Sequence, residues 1–158
     1  MRDALLVSGF LLLLLAACGR EAPSPDASEP DANAPGEPAA EPDVVTIDHI
    51  LIRVKSPRTP RGKTVEEART LAYQVLEQVR AGGDWATLKR KFSDDPPPGG
   101  PYTLTNFKVA KQRGAYPRKE MVPAFGDVGF ALKVGEIGIA DYDPKTSPFG
   151  FHIIKRVK

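Results

Sequence analysis

The chain has 158 residues, with 22 Lys and Arg against 20 Asp and Glu, which gives a formal net charge of +2 at neutral pH. A single cysteine excludes an internal disulfide framework. The charges are uneven, because residues 44–158 carry 20 of the Lys and Arg but only 12 of the Asp and Glu. This basic region is long enough to bury one core, and its charge favours acidic partners.

Residues 1–17 have the features of a signal peptide that is removed on export. Arg2 supplies a positive start, and the apolar run of residues 4–15 is shorter than the roughly 20 residues that a membrane span needs. The run ends in Leu-Ala-Ala-Cys18, which resembles the bacterial lipobox and predicts a lipid on Cys18. The alternative is an ordinary signal peptide followed by a chance cysteine.

Residues 18–43 have the composition of a disordered, lipid-anchored linker. Six prolines and seven acids are spread over residues 19–43, with no aromatic and no β-branched residue. Such a segment cannot bury enough apolar surface to offset its chain entropy. Gly19 occupies the place of the aspartate that resembles an inner-membrane retention signal, which favours the periplasmic face of the outer membrane. For an exported chain we expect a membrane contact through the lipid and no nucleic-acid partner.

Residues 44–83 predict a strand followed by a helix. The segment 44–54 is rich in β-branched residues, and a basic loop occupies residues 55–63. Thr64 and Glu67 have the spacing of a capping box, and glycines at positions 82 and 83 end the helix. The apolar positions of this helix recur at intervals of three and four, at Val65, Ala68, Leu71, Ala72, Val75, Leu76 and Val79.

The rest of residues 44–158 predicts a short helix capped by Asp84, an irregular segment, a strand, a third helix that starts at Pro123, and two closing strands. The irregular segment and the elements after it are expected at residues 94–101, 102–110, 123–132, 139–142 and 149–157. Strands that bracket a block of helices indicate an α+β fold with helices packed on an antiparallel sheet.

The two histidines of the chain occupy similar apolar contexts at opposite ends of this region. His49 lies in the first predicted strand and His152 in the last. Terminal strands of an antiparallel sheet are often neighbours, so both imidazoles could share one face. The alternative is that they are ordinary strand residues with satisfied hydrogen bonds.

Five sequence blocks in order resemble the parvulin family over nearly all of residues 48–157. They are His49-Ile-Leu-Ile, Phe92-Ser-Asp-Asp95, Met121-Val-Pro-Ala-Phe125, Phe130-Ala-Leu-Lys-Val-Gly-Glu136 and Ser147-Pro-Phe-Gly-Phe-His152-Ile-Ile. The resemblance implies a parvulin-like four-stranded antiparallel sheet flanked by helices, with a catalytic pocket on one face of the sheet.

The resemblance also implies the residues of that pocket. His49 and His152 match the two central histidines, Asp95 matches a position that is Asp or Cys in the family, and Ser147 falls where a threonine hydroxyl is common. Met121 and Phe125 match the apolar floor that receives the proline ring, and Leu104 is the expected counterpart of a lining leucine. No cofactor and no metal are implied.

The implied activity is peptidyl-prolyl cis-trans isomerisation on extended or unfolded proline-containing polypeptides outside the cytoplasm. With no cysteine at position 95, we expect a non-covalent mechanism. Residues 101–113 intervene before the family pattern resumes at Gly114, so a non-catalytic chaperone of the same fold stays open as an alternative. A zinc site formed by His49, His152 and Asp95 is the remaining alternative.

The basic loop invites one further comparison with the family. Arg58, Arg61 and Lys63 lie where phosphate-directed members carry their arginines, but the spacing does not match. We expect a solvated loop there.

Overall fold

The computed structural model describes residues 40–158. The predicted signal peptide, the lipid attachment at Cys18 and the linker up to residue 39 lie outside the described residues. Within residues 40–158, none of the helices combines the length and the apolar character that crossing a bilayer requires.

The described region contains five strands, three α-helices and one 3₁₀ turn. The strands are β1 (Val44–Arg53), β2 (Tyr102–Thr105), β3 (Tyr116–Pro117), β4 (Ile137–Ala140) and β5 (Gly150–Arg156). The helices are α1 (Val65–Arg80), α2 (Trp85–Phe92) and α3 (Pro123–Ala131), and the 3₁₀ turn is Arg118–Glu120.

Local sequence determines where the first two helices begin. The Thr64 hydroxyl accepts the backbone N–H of Glu67, and the Glu67 carboxylate accepts the backbone N–H of Thr64, which completes the predicted capping box. The Asp84 side chain accepts the backbone N–H of Thr87 and so caps α2. Both predicted caps are therefore confirmed.

The sheet has the strand order β3-β2-β1-β5-β4, with β1 at its centre. β1 pairs antiparallel with β2 and β5, and β5 pairs antiparallel with β4, which confirms the α+β fold and the four antiparallel strands that were expected. A fifth strand, β3, pairs parallel with the outer edge of β2. It was not expected, because two residues leave no periodic signal in the sequence.

Two strand boundaries differ from the sequence-based expectation. The strand expected over residues 102–110 ends at Thr105. Asn106 still donates its backbone N–H to the carbonyl oxygen of Asp43 at 2.8 Å, but the chain turns away at residues 107–108. The strand expected over residues 139–142 begins earlier, at Ile137, and ends at Ala140.

Alternate residues of β1 contribute to two separate cores. Ile50 and Ile52 pack with α1 and α2 in one cluster. Ile47 packs with Phe125 and Phe130 of α3 in the other cluster, on the face that also carries His49. The site therefore belongs to the α3 face of the sheet.

Residues just before β1 pack against the segment that precedes α3. Glu41 accepts a hydrogen bond from Arg118 Nη1 at 2.7 Å, and Arg118 Nη2 donates to Asp127 at 2.8 Å. The Arg118 guanidinium lies 4.6 Å from the ring centroids of both Phe107 and Phe130. Glu41 therefore packs on the folded region, although it lies within residues 18–43, which are expected to be a linker.

Candidate active site

The strand register brings the two histidines together on one face of the sheet. Leu51 is the pairing partner of His152, and His49 is the partner of Ile154, so the two imidazoles are diagonal neighbours. Their ring centroids are 5.5 Å apart, and the residues are only 4% and 5% exposed. The predicted juxtaposition of the histidines is therefore present.

An aromatic ring from α3 packs against both histidines. Phe125 meets the His49 ring at a centroid distance of 5.1 Å and the His152 ring at 5.4 Å, in edge-to-face arrangements. Pro123 occupies the first turn of α3 and fixes its start, which determines where Phe125 projects. Met121, just before the helix, is half-buried against the same cluster.

Asp95 reaches the site because β2 pairs with only the first half of β1 and leaves the edge of the second half open. The uncovered half binds the chain that follows α2, where Asp94 N–H donates to Leu51 O at 2.7 Å and Leu51 N–H donates to Ser93 Oγ at 3.2 Å. This pairing brings Asp95 Oδ2 to 3.4 Å from His49 Nε2. Asp95 is thus held beside the histidine by backbone contacts.

Tyr102 also belongs to the site, although no motif in the sequence indicates it. Its ring centroid lies 5.7 Å from that of His49, and its hydroxyl donates to Asp95 Oδ2 at 3.4 Å. Tyr116 of β3 in turn meets the Tyr102 ring at 5.8 Å and is half-exposed. Tyr102 lies within the segment 101–113 and Tyr116 lies just after it, so a part of the chain outside the family pattern supplies one wall of the site.

Burial keeps both imidazoles neutral. Desolvation lowers the pKa of His49, an effect that the neighbouring Asp95 carboxylate opposes. Desolvation, with a smaller contribution from His49, lowers the pKa of His152 to about 3. Within residues 40–158, His49 Nδ1 and both ring nitrogens of His152 have no hydrogen-bond partner. The site therefore contains buried imidazole nitrogens with no hydrogen-bond partner among the described residues.

The structure places two of the expected site residues away from the centre. Ser147 is fully buried, and its hydroxyl donates to the carbonyl oxygen of Gly150 at 2.8 Å, with no hydrogen bond to either imidazole among the described residues. Leu104 also has no exposed surface and packs in the core beside Phe125. In this structure both residues support the site from beneath.

The basic loop before α1 is engaged in structural contacts or exposed. Lys63 Nζ lies 3.2 Å from Asp94 Oδ2, while Arg58 and Arg61 are exposed. Within residues 40–158, no group of three or more His, Cys, Asp or Glu side chains is arranged to hold a metal ion.

Residues 37–158 match the family model described as PPIC-type PPIASE domain, so the chain belongs to the family of parvulin-type peptidyl-prolyl isomerase domains. The match covers the whole described fold, including the strands that carry His49 and His152.

Curated relatives agree with this assignment. The chain is 31% identical to the chaperone SurA of Alcanivorax borkumensis over 70% of its own length and 22% of the relative. It is 30% identical to the peptidyl-prolyl cis-trans isomerase ESS1 of Saccharomyces cerevisiae, over 69% of the chain and 62% of the relative. It is 30% identical to the foldase protein PrsA of Geobacillus sp., over 70% of the chain and 31% of the relative. The chain thus spans less than two thirds of each of these proteins.

Proposed function

We propose that the protein is a peptidyl-prolyl cis-trans isomerase that acts on X-Pro bonds of exported polypeptides. The observation that carries the proposal is the cluster of His49, His152, Phe125 and Asp95 on one face of the sheet. Cis and trans X-Pro bonds are nearly balanced and are separated by a barrier of about 20 kcal/mol, so a catalyst need only favour the twisted state.

Phe125 and Met121 supply the apolar surface for the proline ring. Phe125 is the innermost of the two, and the half-buried Met121 forms the rim of the hollow. A ring held there stays fixed while the part of the chain before the proline rotates about the C–N bond. Each tenfold gain in rate requires about 1.4 kcal/mol of preference for the twisted amide.

Asp95 favours the twisted state electrostatically. In the planar amide, resonance places negative charge on the carbonyl oxygen, and twisting the bond removes part of it. A carboxylate next to that oxygen therefore destabilises the planar form more than the twisted one. The His49 imidazole lies 3.4 Å from Asp95 and orients it, and the neutral rings create the low-polarity surroundings in which this effect is strong.

The mechanism needs no covalent intermediate. No bond of the substrate other than the rotating C–N bond changes its character, and no thiol is available within the described residues. His152, neutral and without a hydrogen-bond partner among residues 40–158, is able to accept or donate one hydrogen bond to the turning amide.

We further propose that the protein is an exported lipoprotein whose lipid on Cys18 anchors it to the periplasmic face of the outer membrane. The support is the apolar run of residues 4–15 followed by Leu-Ala-Ala-Cys18. Metabolic labelling with a radioactive fatty acid tests this placement. Label in the full chain that disappears in the Cys18→Ser variant is the expected result, and equal label in both would contradict it.

Two-dimensional NMR exchange on a short Ala-Pro peptide tests the isomerase proposal. We expect the full chain in detergent micelles to increase the cis-trans exchange rate, and Asp95→Asn to reduce that increase at least about tenfold. Glu77→Gln, which removes an exposed carboxylate from α1, is the matched control and should leave the rate unchanged. No acceleration by the unmodified protein would refute the activity.

A non-catalytic chaperone is the second candidate, and the near-complete burial of the site favours it. Phe125, His49 and His152 are 3–5% exposed, so little of the hollow is open to a proline ring. Peptide binding without acceleration of exchange is the result that this candidate predicts. The same NMR samples provide both measurements.

A further inference from the structure

A groove lies beside the catalytic cluster and shares Asp95 with it. The groove encloses about 460 Å³ between α2 and the proline-rich segment that follows it. Trp85 and Arg90 line one side, Pro97 and Pro98 line the other, and Asp95 lies at the end nearest His49. Nothing in the catalytic cycle described above uses this space.

Hydrogen bonds hold the walls of the groove in place without a ligand. The Trp85 indole N–H donates to Asp48 Oδ2 at 2.8 Å, which fixes the plane of the ring. Lys89 bonds to Asp48 and donates to the carbonyl oxygen of Gly99 at 2.9 Å, so it ties α2 to the segment opposite. A preformed aromatic and proline-lined channel suits an extended polypeptide, because little ordering is needed on binding.

The charges in the groove are not equivalent. Lys89 is neutralised by Asp48, and both side chains are mostly buried. Arg90 is exposed and donates from Nη2 to Thr87 Oγ1 at 3.0 Å. It forms no salt bridge within residues 40–158, and the carboxylate that senses its charge is the solvent-exposed N-cap residue Asp84. Lys155 adds positive charge on the far side of the Trp85 ring, 5.8 Å from its centroid. The groove therefore offers an apolar wall and one available guanidinium.

We propose that this groove binds the substrate chain on the N-terminal side of the X-Pro bond and selects an acidic residue about two to four positions before the proline. The inference rests on the isomerase function proposed above. With the proline ring on Phe125 and the preceding carbonyl beside Asp95, the chain before that carbonyl leaves past Asp95, where the groove opens. An acidic side chain there reaches Arg90 while its neighbours contact Trp85 and Pro98.

Three peptides that differ only at the third position before the proline, with Glu, Gln or Lys, test the selection. NMR exchange gives kcat/KM for each peptide with the full chain in micelles. We expect the Glu peptide to exceed the Lys peptide by about threefold to fivefold, mainly through KM, which is the range of a partly solvated ion pair. Equal values for the three peptides would overturn the proposal.

Reversing the charge of Arg90 tests whether this residue causes the preference for the Glu peptide. Arg90→Glu should remove or invert the preference, so that the ratio of Glu to Lys peptide falls to about one or below. Lys91→Glu makes the same charge change one residue further along α2, at a side chain that packs on Phe92 outside the groove. An equal loss of preference in both variants would show a general field effect and contradict the assignment.

Binding can be followed without catalysis, because Trp85 is the only tryptophan of the chain and lies in the groove. Titration with each peptide should change the tryptophan emission, with the tightest binding for Glu and a loss of that preference in Arg90→Glu. If no peptide shows accelerated exchange but this order of binding persists, the isomerase function fails and the groove assignment survives. If emission is unchanged at saturating peptide, as judged by NMR shifts elsewhere, the groove is not the binding site.

Discussion

Tyr102 lies against the His49 imidazole, with the two ring centroids 5.7 Å apart, and both side chains face the same carboxylate oxygen of Asp95. Tyr102 comes from the segment between Gly100 and Gly114, which departs from the family pattern. A segment that would look like a disruption of the site instead provides one of its side chains. The tyrosine and the histidine thus contact the same carboxylate oxygen and hold it in position together.

Removal of the Tyr102 hydroxyl should slow isomerisation without unfolding the protein. Tyr102→Phe keeps the ring contacts with His49 and Phe125 but deletes one donor to Asp95, which is worth about 1 kcal/mol. We expect kcat to fall about fivefold with little change in KM, as measured by NMR exchange. Tyr73→Phe removes an exposed hydroxyl bonded to Asp141 and is the matched control. If kcat, KM and the thermal unfolding midpoint all fell in Tyr102→Phe, the role of the hydroxyl would be structural only.

Replacement of His152 by leucine should separate stability from activity. Both ring nitrogens are buried without partners among the described residues, so an apolar side chain of similar volume removes an unfavourable burial. We expect the free energy of unfolding in urea to be unchanged or higher, and the exchange rate to fall at least tenfold. A variant with normal exchange would show that the second imidazole takes no part in catalysis.

The buried histidines should make the fold less stable in mild acid. The pKa of His152 is lowered by burial to about 3, whereas in the unfolded chain a histidine titrates near 6.5. Between these values the unfolded state binds one more proton than the folded state, so the free energy of unfolding decreases as the pH falls, by about 1.4 kcal/mol per pH unit. The lowered pKa of His49 adds in the same direction just below pH 6.5.

Urea unfolding at pH 7, 6 and 5 measures this effect. His152→Leu should show a shallower loss of stability over the same range, because one of the two titrating groups is gone. Parallel curves for the variant and the unmodified protein would mean that folding does not change the pKa of His152. The exchange rate, in contrast, should depend less on pH above 6.5, since burial lowers the pKa of both imidazoles below that of a free histidine.

Phe125 should affect both substrate binding and the fold. Phe125→Ala removes a side chain that is 3% exposed and should lower the free energy of unfolding by about 3–5 kcal/mol. Phe125→Leu is the milder variant, and we expect a several-fold rise in KM at modest cost in stability. Phe130→Leu alters the same core without contact to the histidines and serves as the control. Equal KM changes in both leucine variants would argue against a proline pocket at Phe125.

The contact between Glu41 and Arg118 should be needed for full stability. A chain that begins at Val44 loses the carboxylate that bonds the buried guanidinium, together with the carbonyl of Asp43 that accepts the Asn106 N–H. Relative to a chain that begins at Pro38, we expect about 2 kcal/mol less stability and a thermal midpoint roughly 10 °C lower. Glu41→Gln in the longer chain separates the charge from the backbone contacts. Identical midpoints for the three proteins would contradict this role.

Features that depend on short stretches of sequence were predictable. The capping box of Thr64 and Glu67, the start of α3 at Pro123 and the strand character around His49 each depend on residues a few positions apart. The pairing of β1 with β5 was predictable because terminal strands of an antiparallel sheet are often neighbours, and the family resemblance supplied Asp95 and Phe125.

Features that depend on distant residues were not predictable. Tyr102 meets Asp95 and His49 only because β2 pairs with the first half of β1, and no periodicity in residues 101–113 indicates that pairing. The hydrogen-bond partners of Arg118 lie 77, 12 and 9 positions away in the sequence. The hydroxyl of Ser147 was expected beside His152, but the tight turn to Gly150 uses it as a donor to the backbone.

The pairing of the first strand with the last also determines where the chain enters and leaves. Thr46 N–H donates to the carbonyl oxygen of Lys158, and the N–H groups of Val157 and Lys158 donate back to Thr46 O. Entry and exit are therefore adjacent, at one pole of the domain. A domain whose two ends are adjacent can be inserted into a loop of a longer polypeptide with little strain at the two junctions.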